Sequence, residues 1–165
     1  MIENIYNLGD DAFSNLFQVV ITEDEEKKFE YRTQNFTIPS SGHETYPIDF
    51  MQFTIEKPKP KVILTKEFTI PFRVDANWEI YNWLRDKKNA AIHIRDGVMS
   101  TLPDIEFGVS VNPLDASGEP IADAPTWNFY HVWVKSLPDI SFDYTNSDPI
   151  TIEPTFGFVT MTDDE

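Results

Sequence analysis

Apolar positions in this chain recur mostly at a spacing of two, the period of a strand with one buried face. Asn15 to Thr22 reads Asn-Leu-Phe-Gln-Val-Val-Ile-Thr behind the turn-forming Gly9-Asp10-Asp11, which predicts a first strand. Glu23 to Lys28 is a charge cluster, expected as a solvated hairpin turn. It leads into a second predicted strand, Phe29 to Ile38, stopped by Pro39-Ser40-Ser41-Gly42. Tyr46 to Glu56 is strand-like through Ile48, Phe50, Phe53 and Ile55, and the change of parity between Phe50 and Phe53 points to a bulge. Lys57-Pro58-Lys59-Pro60-Lys61 lacks the backbone donors of its two prolines and repeats a positive charge. That excludes it from a central strand and predicts an exposed, stiff loop.

Val62 to Val74 resumes the alternation with Phe68, Ile70 and Phe72 on one parity. The period then changes. Ile80, Trp83, Leu84 and Lys87 share one helical stripe, Asp75 is placed to cap it, Glu79 lies in the first turn, and Lys87 and Lys88 lie in the last. A helix over Ala76 to Lys88 is therefore expected. Ala90 to Ile94 and Ile105 to Val111 follow as strands, the second with Ile105, Phe107, Val109 and Val111 opposed to Glu106, Gly108 and Ser110. Asn112 to Pro125 is a loop by its prolines and Gly118, and Trp127 to Leu137 and Ile150 to Met161 complete the set. About eight short strands and a single helix predict a mainly β fold, an antiparallel sandwich or barrel with one flanking helix.

Composition narrows the function more than the fold. At 165 residues, 41% of them apolar, the chain has the length and the core material of one domain spanning residues 1–165. No apolar run is long enough to cross a membrane, and Met1 to Asp11 lacks the basic start and apolar centre of a signal peptide, so a soluble protein made in the cytoplasm, without membrane insertion, is expected. The absence of cysteine excludes disulfides and thiolate metal sites. With 13 basic against 28 acidic residues, a net charge of -15, a broad phosphate-binding face is disfavoured.

Catalytic chemistry is hard to find. His43, His93 and His131 lie in separate segments without metal-ligand spacing, so neither metal nor cofactor is expected. With six glycines there is neither a phosphate-cradling loop nor a nucleophile elbow. Adjacent carboxylates such as Asp10-Asp11 and Asp163-Asp164 read as solvated charge, not as an acid–base pair, and an enzyme is not expected. Trp78, Trp83, Trp127 and Trp133 have too few basic neighbours for a base-stacking platform and are expected in the core or at a subunit interface. A carbohydrate-binding β-sandwich with Trp127 or Trp133 exposed stays open as an alternative.

Three segments together resemble the tail tube protein family of T4-like contractile phages. Asn15 to Ile21 is similar to that family's opening strand. Pro47, Phe50 and Met51, a basic loop, Phe68 to Val74 and an acid-started helix reaching Trp83 follow in the family's order. Leu137-Pro138-Asp139, Ser141-Phe142-Asp143-Tyr144 and the closing strand Ile150 to Met161 match its Pro-bearing turn, aromatic-acid strand and final strand. Departures are the Glu23 to Lys28 turn, the loop Asn112 to Pro125 and the acidic end Asp163-Asp164-Glu165.

The resemblance implies a barrel-like protomer that closes into hexameric rings. The rings stack into a conduit through which DNA passes unbound, within a virion tail that includes sheath and baseplate proteins. Joining sheets around a ring also removes exposed strand edges. The family counterparts of the inner strands make Glu30, Asp49 and Glu106 the candidate lumen-lining residues of a negative wall. Lys57, Lys59 and Lys61 are the candidate contacts to an adjoining subunit or ring. A type VI secretion tube protein and a baseplate protein that initiates the tube share the architecture and remain alternatives.

Overall fold

The computed structural model of the chain describes residues 12–24, 28–91 and 102–164. In chain order the elements are β1 (Phe17–Ile21), α1 (Lys28–Arg32), β2 (Ser41–Phe50), β3 (Phe53–Leu64), β4 (Glu67–Thr69), β5 (Phe72–Arg73) and α2 (Glu79–Ala91). They continue with α3 (Leu102–Ile105), β6 (Phe107–Pro113), β7 (Thr126–Ser136), β8 (Thr151–Ile152), β9 (Thr155–Gly157) and β10 (Thr160–Asp164). The main sheet runs β1-β6-β7-β9-β4, with β10 also on β7, and every pairing is antiparallel. β5 pairs with β8, and β2 pairs with β3 as a separate ribbon. The fold is mainly β with α2 on its flank, as the alternation predicts.

β7 organises the sheet because its two halves have different neighbours. Thr126 to Tyr130 pair with β10, whereas Trp133 to Ser136 pair with β9. Between them the strand bulges: Phe107 faces Val132 and Val109 faces Phe129, so Tyr130 and His131 oppose Gly108 alone. His131 takes a left-handed φ of 55° there. Inserting one residue moves the inward parity from odd to even, which is why Phe129, Val132 and Val134 are all buried. The simple alternation of Trp127 to Leu137 could not show this shift.

The core is aromatic. Phe68 packs on Phe129 at 4.9 Å and on Phe156 at 5.5 Å between ring centroids, and Phe107 meets Phe156 edge-on at 5.9 Å. Offset and edge-on contacts suit the ring quadrupole, and each such side chain removed from water contributes roughly 1.5–3 kcal/mol. Ile80 and Leu84 of α2 are buried in the same cluster, with Trp83 packed against it. Gly157 is required by packing: a Cβ there would lie 2.8 Å from the Trp133 ring.

Several expected elements are corrected. Phe29 to Ile38 does not form a strand. Asp24 accepts the backbone N–H groups of Lys28 at 2.9 Å and Phe29 at 2.8 Å, which caps α1 and turns Phe29 inward onto Phe72 and Trp83. That local bond outweighs the β preference of Phe29 and Tyr31. The chain from Gln34 to Ser40 belongs to no helix or strand.

The helix expected at Ala76 begins at Glu79. Trp78 N–H bonds to the Asp75 carbonyl at 3.0 Å, forming a tight turn with Trp78 at a φ of 59°, so the first helical residue comes later. Asp75 still caps, accepting from Glu79 at 3.2 Å and Ile80 at 3.3 Å. Ala90 and Ala91 close α2 instead of opening a strand, and the rest of the strand expected to Ile94 lies outside the described residues, as does His93. The segment Ile150 to Met161 is three short strands, β8 to β10, separated around Pro154 and Val159.

Candidate assembly surfaces

The two strands β2 and β3 form a ribbon that, among the described residues, pairs with no third strand. Phe50 faces Phe53 and Ile48 faces Ile55, so the connection is the two-residue turn Met51-Gln52, with Met51 at a φ of 46°. Tyr46 to Glu56 is thus two strand arms and not one bulged strand. A parity change across two residues is what a hairpin produces when both arms put their apolar side chains on one face. Asp49 and Thr54 are the opposite pair on the other face, joined by a Thr54 hydroxyl donating to Asp49 at 2.7 Å.

Lys57 to Lys61 is corrected from loop to strand, since it lies within β3. Its prolines are accommodated because the ribbon is all edge, and because the register jumps there: His43 faces Val62 while Thr45 faces Pro58, leaving Lys59, Pro60 and Lys61 against Glu44 alone. Lys59 and Lys61 both reach Glu44, at 3.6 and 3.0 Å. Lys57 stands opposite Tyr46. These exposed pairs are each worth about 0–1 kcal/mol.

The ribbon is long and almost unburied. Ten residues of β2 extend about 33 Å. Phe50 is 62% exposed, Phe53 73%, Ile55 49%, Val62 58% and Met51 fully exposed. Only its base is fixed, by Leu64 against the core and a Thr65 N–H to Ser40 carbonyl bond at 3.5 Å. A two-stranded ribbon alone is marginal in water, and a contiguous apolar face marks an interaction surface.

The second surface is the solvent face of β1, β6, β7 and β10. Val20, Ser110, Asn128 and Thr162 form one row straight across the four strands, and the Ser110 hydroxyl bonds to Asn128 Oδ1 at 2.7 Å. Gln18 and Asn112 pair on one side of that row, Tyr130 and Thr160 on the other. Among the described residues neither β1 nor β10 has a second strand neighbour, so both outer edges are open.

The three acidic candidates do not lie together: Glu30 and Glu106 are at opposite ends of this face, and Asp49 is not on it. Glu30 is on α1, where its Oε1 accepts from Gln18 Nε2 at 2.6 Å. Glu106 precedes β6 and sits 2.7 Å from His131 Nδ1. Asp49 is on the ribbon, away from both in the topology. The alternation of β6 located Glu106 correctly on the polar parity, but the expected strand that placed Glu30 is absent.

Other chemistry is sparse. Among the described residues no cluster of three His, Asp or Glu side chains is arranged to hold a metal, and no helix is long and apolar enough to cross a membrane. Burial opposes ionisation of Asp75, yet the backbone N–H bonds from Glu79, Ile80 and neighbouring residues outweigh it and hold the carboxyl below its ordinary value. The backbone and hydroxyl of Thr145 do the same for Asp143. Trp83 is enclosed by Phe29, Phe107 and Lys87. The bulge puts Trp127 and Trp133 on opposite faces of β7, so they form no common stacking surface.

No protein-family model and no curated protein sequence matches the chain. Solved structures do match in fold. A chain from the extracellular contractile injection system PVC sheath/tube terminator in the extended state superposes with a TM-score of 0.66 at 14% identity, covering 96% of this chain and 99% of the other. A chain from the anti-feeding prophage tube-terminating cap gives 0.65 at 12% identity, covering 95% and 93%. Hcp1 from Flavobacterium johnsoniae gives 0.50 at 12% identity, covering 90% and 94%. The chain therefore has the tail-tube and Hcp-like fold.

Proposed function

We propose that the chain is a structural subunit of a contractile tail tube, six copies closing into a ring and rings stacking into a conduit for DNA. The observation that carries this is the exposed apolar ribbon on a fold similar to tube-system components. Burying Phe50, Phe53 and Ile55 against an adjoining copy supplies association energy that the chain cannot gain alone. Lys57, Lys59 and Lys61 then act at the ribbon's flank, where Glu44 already takes two of them.

The open edges of β1 and β10 support closure into a ring. Four strands per copy and six copies give about 24 strands, and at about 4.8 Å per strand the backbone circle is about 37 Å across before tilt widens it. Side chains leave a bore wide enough for a nucleic-acid duplex. Sheath and baseplate proteins are the partners this role requires, and no catalytic step is assigned to the chain.

A tube-end subunit of the same fold is the second reading, favoured by the likeness to the terminator and cap structures. A secretion tube protein, as the likeness to Hcp1 suggests, is a third. Mass measurement across protein concentration together with electron microscopy tests all three. Stacked six-membered rings support the tube, single unstacked rings support the end subunit, and a strict monomer at high concentration overturns assembly altogether. Deleting Lys57 to Lys61 should leave the monomer folded and shorten or abolish tubes; tubes of normal length would remove the ribbon from the reading.

A further inference from the structure

We infer that the solvent face of β1, β6, β7 and β10 is an electrostatically divided channel wall, an uncharged hydrogen-bonding band between two carboxylate girdles, which polyanionic cargo crosses without adhering. This rests on the tube reading above. It replaces a uniformly negative wall with a specific layout.

The layout follows from register. In a chain of net charge -15, the row Val20, Ser110, Asn128 and Thr162 carries no charge, and neither do the flanking pairs Gln18–Asn112 and Tyr130–Thr160. Asp163 stands opposite Trp127 on the other parity, whereas Asp164, opposite Thr126, shares the parity of Thr160 and Thr162 and places a further acid at the Gln18–Asn112 end of the face. Charge returns only at the ends of the face. At one end Gln18 bonds to Glu30, and both line a hollow with Glu119. At the other, Glu106 continues the outward parity of Gly108 and Ser110 and meets His131.

Asn112 and Glu106 are separated along β6 by about 20 Å at 3.4 Å per residue. Ser110, two residues from Asn112 and four from Glu106, is about 7 Å from one end and about 14 Å from the other, so at a Debye length of about 8 Å the farther girdle is screened out and the nearer one weakened. Six copies would turn each carboxylate group into a ring of like charge, strong near the girdle and screened between. Phosphates are repelled twice per ring of subunits, and between girdles they meet only neutral side chains that release no counterions. Asp49, on the ribbon, takes no part.

Because the chain has no cysteine, single cysteines report on this face without background. Ser110→Cys in the band and Gln18→Cys beside Glu30 are to be assembled into tubes and treated with cationic and anionic thiol reagents of equal size, and with a bulky polymer-linked maleimide. We expect the bulky reagent to modify both positions in dissociated subunits and neither in tubes. At physiological salt the small reagents should react at Ser110→Cys at rates within about twofold of each other, and at low salt any cation lead there should stay well below that at Gln18→Cys. At Gln18→Cys the cation should lead by about tenfold at low salt, with the lead collapsing as salt rises. Asn128→Cys serves as the band probe if Ser110→Cys does not assemble. Bulky labelling of the band in intact tubes, or a cation lead there equal to that at Gln18→Cys, overturns the divided wall while leaving the tube intact. Failure of the unmodified chain to form tubes overturns the tube reading itself.

Discussion

The aromatic core and the β2–β3 ribbon are built from the same residue types and end in opposite environments. Phe68, Phe129 and Phe156 are each at most 5% exposed, whereas Phe50 and Phe53 are 62% and 73% exposed. The core phenylalanines have partners from several distant strands. The ribbon phenylalanines have each other and water. Apolar side chains that stabilise the fold and apolar side chains left exposed are therefore separable by position, although both read simply as apolar in the sequence.

The largest contrast should come from matched truncations. Phe156→Ala opens a cavity among Phe68, Phe72 and Phe107 and should cost about 3–5 kcal/mol in chemical denaturation of the monomer. Phe53→Ala should stay within about 0.5 kcal/mol of the parent by the same assay and yet suppress tube formation on grids. A ribbon variant that unfolds the monomer, or one that leaves assembly untouched, would break the separation.

Gly157→Ala places a Cβ 2.8 Å from the Trp133 ring and should destabilise by about 1–3 kcal/mol. Trp133 fluorescence should shift as the ring is displaced, and combining the change with Trp133→Ala should recover most of the loss. A smaller effect is expected at Asp75. Its replacement by Ala removes the bonds to Glu79 and Ile80 and should cost about 1 kcal/mol.

The pH dependence at Asp75 has a definite sign. Its carboxyl is held below the ordinary value in the folded chain, so its stabilisation is complete above the unfolded carboxylate pKa and is lost as pH falls through the depressed one. Asp75→Asn should flatten the acid limb of the stability profile and leave the neutral region nearly parallel to the parent. An unchanged acid limb would remove Asp75 as a contributor.

Period-two alternation made β1, β6 and the buried residues Phe68, Ile70 and Phe72 legible, because β1 and β6 each bury one face and the inward alternation carries across the break between β4 and β5. Ile80, Trp83 and Leu84 were equally clear as a helical stripe. The misreadings came where a local bond or an insertion intervened. Asp24 captures Phe29 into α1, Trp78 delays α2, and the extra residue at His131 reverses the parity of β7. The surfaces were less legible than the core. Phe50 and Phe53 showed the right parity change, but only pairing distinguishes a hairpin from a bulge. The acidic wall depended on a strand that Glu30 does not occupy.

The prolines and lysines of β3 have a consequence for solubility. An exposed apolar ribbon with two bare edges is a template for uncontrolled sheet growth, since any extended chain can bond to its free N–H and C=O groups. Pro58 and Pro60 delete donors from one edge, and Lys57, Lys59 and Lys61 crowd that stretch with like charge. Lateral recruitment is thereby discouraged along the middle of the ribbon, while the face carrying Phe50, Phe53 and Ile55 stays open. On the tube reading, the segment that discourages clumping would leave the copies competent for orderly stacking.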